Sequence, residues 1–371
     1  MKRYYQVYFA GIFLLLALFG LLTFVVPGKE YSANENRFLE AFPSFSFEKV
    51  LSGEYQEKLQ KSVSDRFIGR DLWMESATFA KKATGYKEMD GVYLGKDSYY
   101  IAKTVNSDID QMQYLKNLRY LEYFAGKAGK TTDVLLIPSA GTILKEKLPK
   151  GAPFYDSAAM YKEAGAVLSK AKLMDVREEI RQYGKQSQVY FRTDHHWTLN
   201  GAYAAYAQYC ERKKRVKHSF GYFGVEKVSD DFLGSMYSKV LDFAAQKDSL
   251  YAAKNLPQAE VVCDGQKEEG VYAREKLNEK DKYAYFFGGN FARVDITRNA
   301  KKKKLLVIKD SFANSFVPFL LEQYSDIVMI DLRYYRESVG NLLEAEKFDE
   351  VLVLYEMSNF ANDTNLYKLT K

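Results

Sequence analysis

Hydrophobic and polar positions divide the chain into three regimes. The first is an uncharged apolar run, Tyr8 to Val26, YFAGIFLLLALFGLLTFVV. At about 19 residues it would cross roughly 28 Å of hydrocarbon as a helix. A cleaved leader would have a shorter apolar stretch and a small-residue cleavage site. This run ends in Val25-Val26-Pro27-Gly28 instead, so residues 1–28 read as an uncleaved anchor. Lys2 and Arg3 ahead of it predict an inside N-terminus and an extracytoplasmic remainder on a single-pass anchor.

Residues 29–90 form the second regime, a polar, Pro-interrupted lead (Glu30 to Val50) and then a helical pattern to about Tyr86. There Arg66 and Arg70, four residues apart and flanked by Asp65 and Asp71, predict one charged helix face.

From residue 91 to 371 the pattern becomes that of a folded domain. Gly91 to Ile101, GVYLGKDSYYI, alternates around Gly95-Lys96-Asp97-Ser98 and predicts a β-hairpin. A helix is expected from about Asp108 to Ala128, and another from about Asp156 to Lys172. Short apolar runs read as buried strands: TTDVLLI before Pro138, KKLLVIKD to Asp310, DIVMIDLRYY to Tyr335, and VLVLYE to Glu356. Strands alternating with helical segments predict an α/β fold, a parallel sheet flanked by helices on both faces. About 215–300 is the least regular part, with turns at Gly221, Gly224, Gly234, Gly265 and Gly288-Gly289. It reads as an irregular β-rich insertion.

The 371-residue chain is 47% hydrophobic and 27% charged, ample for a core. Its 30 tyrosines suit sugar-binding clefts and β-rich cores alike. A net charge of +6 with interspersed signs gives no nucleic-acid footprint, and the run Lys301 to Lys304 reads as a solvated turn. Cys210 and Cys263 leave one pairing open, but they form no disulfide framework and no metal-ligand spacing. Nothing calls for a cofactor.

Candidate chemistry centres on Phe191 to Tyr206, FRTDHHWTLNGAYAAY, which holds two of the three histidines. Asp194 beside His195 and His196, ahead of a helix that Thr198 can cap, is a common way to hold a catalytic base. A metal is the rival reading, but neighbouring side chains of an extended segment point apart and His218 is the only other histidine. The nucleophile is expected where an apolar strand runs into a helix, and Asp310-Ser311 follows LLVIK in that way, ahead of an amphipathic helix. A helix N-terminus there could also stabilise an oxyanion, as in acyl transfer. Serines cap helices generally, so Ser311 also reads as an ordinary cap; Ser315 and Ser139 are weaker rivals.

The chain resembles the DHHW family of extracytoplasmic proteins, related to the alginate O-acetyltransferase accessory proteins with SGNH-hydrolase-like domains. The motifs carrying the resemblance are TDHHW (Thr193 to Trp197) and KDSFANSF (Lys309 to Phe316). ENRFLEAFP (Glu35 to Pro43), DRFIGRD (Asp65 to Asp71) and GVYLGK (Gly91 to Lys96) support it. The family's Asp-x-His-Trp pattern selects Asp194 and His196, and its Gly-Asp-Ser-like block selects Ser311, with Lys309 where many such hydrolases have glycine. The resemblance implies an O-acetyltransferase for a cell-surface or secreted polysaccharide, fed by an MBOAT-type membrane acyltransferase. A polysaccharide acetylesterase, or a non-catalytic polysaccharide-binding or assembly protein, is the alternative. Oxyanion or substrate contacts are sought at the Ser311 N–H, Arg333, Tyr355, His195 and Trp197.

Overall fold

The computed structural model describes residues 2–26 and 28–371. The chain forms two compact units, one reaching to Tyr86 and including Ser238–Ala244, the other made of Lys87–Tyr237 and Ala245–Lys371.

In the first unit Lys2–Val25 is one helix, long and apolar enough to cross a membrane. Helices Phe47–Ser52, Glu54–Arg66 and Arg70–Ala83 follow. The charged face expected to carry both Arg66 and Arg70 is broken, because the chain turns at Phe67 to Gly69, where Gly69 takes φ 69°. The acids find partners in the polar lead instead. Arg37 donates to both oxygens of Asp65 (2.8 and 2.5 Å), and Arg70 pairs with Glu35. The Arg37 guanidinium holds the Asp65 carboxyl below the usual range.

The second unit is built on an eight-stranded sheet, counted among the described residues. Its strands are β1 (Thr131–Ile137), β2 (Lys172–Met174), β3 (Glu260–Cys263), β4 (Gln266–Glu268), β5 (Arg293–Thr297), β6 (Lys303–Lys309), β7 (Tyr324–Ile330) and β8 (Glu350–Glu356). The spatial order is β4-β3-β5-β7-β6-β8-β1-β2. From β7 to β2 all pairs are parallel, whereas β5, β3 and β4 add antiparallel pairings at one edge. The segment read as an insertion thus supplies three strands of the main sheet, besides a separate ladder between Val225–Phe232 and Asp248–Ala253.

Continuous apolar runs arise because both faces of the central strands are covered. Leu135, Ile137, Leu305, Val307, Leu352 and Leu354 face one core, while Val134, Leu136, Leu306, Ile308, Val351 and Val353 face the other. Helix Leu199–Arg212 contributes to the first core, helices Gln111–Ala128 and Ser157–Val167 to the second. Helix Ala313–Leu320, expected to be amphipathic, is buried at every position. Phe223, and Tyr203 and Tyr206 of helix Leu199–Arg212, pack against its Phe319. Cys210 and Cys263 are both free and buried.

The chain leaves β6 for β7 on one side and returns to β8 on the other. That switch places a crevice beyond the carboxyl end of β6, where Asp310 and Ser311 follow.

Candidate active site

The histidine turn is closed by its own backbone. The Phe191 N–H donates to the His196 carbonyl (3.2 Å) and the Thr198 N–H to that of Val189 (3.0 Å). Buried Asp248 grips the turn from the irregular region, accepting from the Arg192 N–H (3.0 Å), the Thr193 N–H (2.8 Å) and the Thr193 hydroxyl (2.7 Å). Thr198 then caps helix Leu199–Arg212 through the Gly201 N–H (3.4 Å). Gly201 is required there, because a Cβ would run into the Val189 carbonyl and Trp197.

Within this turn Asp194 Oδ1 accepts from the His196 N–H (2.9 Å) and from His196 Nδ1 (2.6 Å). Its Oδ2 accepts from the Ser235 N–H and hydroxyl, each at 2.8 Å. Burial by itself would raise the Asp194 carboxyl. Attraction to His195 and His196 and the donors from His196 and Ser235 outweigh it, so the group stays ionised far below the usual range. An ionised carboxylate at Nδ1 fixes the proton on that nitrogen and leaves His196 Nε2 as an acceptor. Nε2 faces Ser311 Oγ at 2.7 Å.

Ser311 is held from below. Asp310 Oδ1 accepts from the Phe312 N–H (3.0 Å), and its Oδ2 accepts from the Glu356 N–H and Asn359 Nδ2 (2.9 Å each). The Ser311 carbonyl accepts from the Asn314 N–H (3.1 Å) and the Tyr283 hydroxyl (3.2 Å). Among the described residues the Ser311 N–H has no acceptor, which leaves a backbone donor beside the Ser311 hydroxyl. Asp194, His196 and Ser311 are 4%, 6% and 8% exposed, so all three are buried.

The two histidines do not point apart. Their segment is a turn, and the rings lie against each other, tilted by 38°, with centroids 3.9 Å apart. Asp194, His195 and His196 consequently offer ligand atoms within 4.8 Å of one another. Both His196 nitrogens are already engaged, and His195 Nδ1 meets Ser235 Oγ at 2.7 Å. Burial, then the His196 charge, pull His195 down to about 4, so it is a neutral partner of the turn near pH 7.

The other sequence candidates make contacts of their own. Trp197 is wholly buried, and its Nε1–H donates to the Phe312 carbonyl (3.1 Å) and Ser315 Oγ (2.9 Å). Arg333 is turned to Asp331, with bonds of 2.8 and 2.6 Å. Tyr355 faces the opposite core, its buried hydroxyl without a partner. Ser139 binds the Tyr155 hydroxyl (2.5 Å), and Ser315 belongs to the Trp197 and Tyr283 contacts.

Residues not put forward as site candidates surround the three. Tyr283 stacks on His196 at 3.8 Å and 11°, so the imidazole is sandwiched between Tyr283 and His195. Gly234 admits Asp194, because any Cβ there would collide with its carboxylate. Lys309 is 1% exposed and donates to Asn290 Oδ1 (3.0 Å) and Asn314 Oδ1 (2.9 Å), with Asp331 3.8 Å away. Ser235 and Gly234 lie at a turn visible in the sequence; Tyr283 carried no signal at all.

The protein is of the α/β class, a mainly parallel sheet with hydrogen-bonded Asp194, His196 and Ser311 beyond the carboxyl end of β6. The chain belongs to the DHHW protein family, which its residues 78–330 match. It is similar to the probable alginate O-acetylase AlgJ of Pseudomonas syringae pathovar tomato, with 26% identity over 192 residues, 46% of each chain. The match thus spans about half the length of that curated relative. Among solved structures it resembles a DHHW family protein from Eubacterium siraeum (TM-score 0.65, 20% identity, 76% of this chain and 96% of that one). It also resembles Bacillus cereus PatB1 bearing a sulfonyl adduct (TM-score 0.62, 20% identity, 76% and 98%). At these identities the structural likeness speaks for the fold.

Proposed function

We propose that this chain is an O-acetyltransferase for a cell-surface or secreted polysaccharide, with Ser311 as nucleophile, His196 as base and Asp194 as its orienting carboxylate. The observation that carries the reading is the unbroken hydrogen-bond line from Asp194 Oδ1 through His196 to Ser311 Oγ, 2.6 and 2.7 Å. Similarity to a probable alginate O-acetylase supports the substrate class.

In the first half-reaction Ser311 Oγ attacks the carbonyl of an acetyl donor while its proton passes to His196 Nε2. The Ser311 N–H, which has no acceptor among the described residues, donates to the oxyanion in this reading, and the intermediate collapses as His196 protonates the leaving group. The acetyl-serine ester then meets a sugar hydroxyl. His196 takes the hydroxyl proton, the sugar oxygen attacks, and Ser311 Oγ departs with that proton. Asp194 stays ionised throughout and stabilises the imidazolium. Residues 91–371 would form this SGNH-like catalytic domain, residues 29–90 a linker, and the helix Lys2–Val25 a single-pass anchor with the domain outside. An MBOAT-type membrane acyltransferase would supply acetyl groups.

The test is intact-mass analysis of the protein with 4-nitrophenyl acetate, with and without oligosaccharide acceptors, beside Ser311→Ala. An acetyl adduct absent from Ser311→Ala and discharged onto an added acceptor is the expected result. An adduct lost equally fast to water with every acceptor makes the protein an esterase. No adduct leaves a non-catalytic binding protein.

A further inference from the structure

The basic run Lys301 to Lys304 does not remain an isolated solvated turn. A second run, Arg212 to Arg215, lies far away in sequence, at the end of helix Leu199–Arg212. Both converge with Lys172 on one cavity of about 690 Å³, within the size range of ligand sites. The cavity lies where β1, β2, β6 and β8 begin, at the end of the sheet opposite Ser311. Seven basic and two acidic side chains line it.

The acids form a neutralised floor. Glu350 accepts from Arg215 (2.8 Å), Lys303 (2.7 Å) and Tyr324 (2.8 Å), and Lys213 lies 3.1 Å away. Burial opposes its charge, but the Lys303, Lys213 and Tyr324 donors hold it down at about 2. Asp133 binds Lys213 at 2.6 Å through one oxygen; the other is buried and without a partner. Three cations therefore meet two acids at the floor. Lys172, Arg212 and Lys214 are exposed above it and, among the described residues, have no acidic partner.

We infer that this cavity is an exosite for an anionic polysaccharide, one whose repeating carboxylates or phosphates meet Lys172, Arg212 and Lys214. Charge complementarity names the ligand class. The hollow shape favours a polymer segment over a lipid surface, because Lys213 and Arg215 are recessed, with side chains 12% and 15% exposed. Position separates this site from the serine. β6 runs from Lys303 in the cavity to Lys309 beside Asp310, seven residues and about 23 Å of extended chain. A bound segment is thus held apart from the reacting hydroxyl.

The test uses the full chain in neutral detergent, titrated with polygalacturonate and with phosphomannan, with dextran as the uncharged control. Anionic polymer is expected to bind, dextran not, and affinity to fall as salt rises. Combined Lys172→Glu, Arg212→Glu and Lys214→Glu is expected to weaken binding more than about tenfold through like-charge repulsion. The same reversal at Lys81, Lys116 and Lys145 should leave it near the wild-type value. A glutamine version of the first triple covers the case in which charge reversal unfolds the protein. Binding of one polymer alone keeps the site and identifies its charged group. Equal loss in both triples would assign binding to overall charge and overturn the exosite. So would capture by phosphatidylglycerol vesicles without either polymer, or no polymer binding by the wild type. Ser311→Ala should bind as the wild type does, so failure of the acetyl-transfer reading leaves this result standing.

Discussion

Gly234 sits against Asp194 so closely that a β-carbon would overlap the carboxylate it helps to orient. The same contact brings the Ser235 N–H and hydroxyl onto Asp194 Oδ2. Gly234→Ala is therefore expected to push Asp194 out of line with His196. Displacements of this size cost roughly 10²-fold in rate. Steady-state acetyl transfer should fall by that order with Ser311 still present, and an unchanged rate would mean that Asp194 tolerates the shift.

Trp197 bolts the histidine turn to the serine segment. Trp197→Phe keeps most of the packing but removes the indole N–H, leaving the Phe312 carbonyl and Ser315 Oγ one donor short. An unsatisfied buried acceptor costs about 1–3 kcal/mol, so denaturant unfolding should show a loss of that size.

Glu356, the cap of helix Met357–Asn362, is buried, and burial pushes its carboxyl up to about 7. Unfolded, it would ionise near 4.3, so between there and about 7 the folded state holds one proton more. Stability from this group falls as pH rises through that window and levels off above it, by up to about 3 kcal/mol. Glu356→Gln removes the titration. Its stability relative to the wild type should thus rise between pH 4.5 and 7.5, measured by thermal unfolding across that range.

Lys309 runs the other way. Burial pulls it down to about 8 against attraction from Asp331, Asp310 and Cys263, with Arg333 adding to the depression. The unfolded chain keeps this proton up to about 10.4, so wild-type stability relative to Lys309→Met should rise from pH 8 to 10.4. The change is bounded at about 3 kcal/mol, and a flat difference across that range would place the ammonium in water.

Much of the frame was legible because buried parallel strands are apolar at every position, as in TTDVLLI and LLVIK. Asp194, a histidine beside it and Ser311 stood out as candidates because each lies at an element boundary, whereas the choice of His196 over His195 came from the family resemblance; that Ser311 meets His196 across 115 residues was not written in either segment. Other features depend on contacts that no local pattern encodes. Helix Ala313–Leu320 looked half-polar because Asn314 and Ser315 bond inward to Gly289 and Trp197. His195 and His196 come together because the chain is bent into a turn that Asp248 holds, whereas alternation assumes an extended segment. Gly69 breaks a helix whose four-residue charge spacing ran straight through it.

Asp248 also bears on how far this scaffold can be trimmed. Residues 215–300 look like the natural part to excise when making a minimal domain. Yet Asp248, Ser235 and Tyr283 all come from that stretch, and together they shape the histidine turn, seat its carboxylate and cover the imidazole. Grafting the segment between relatives would accordingly transplant the reactivity of the site along with its surface.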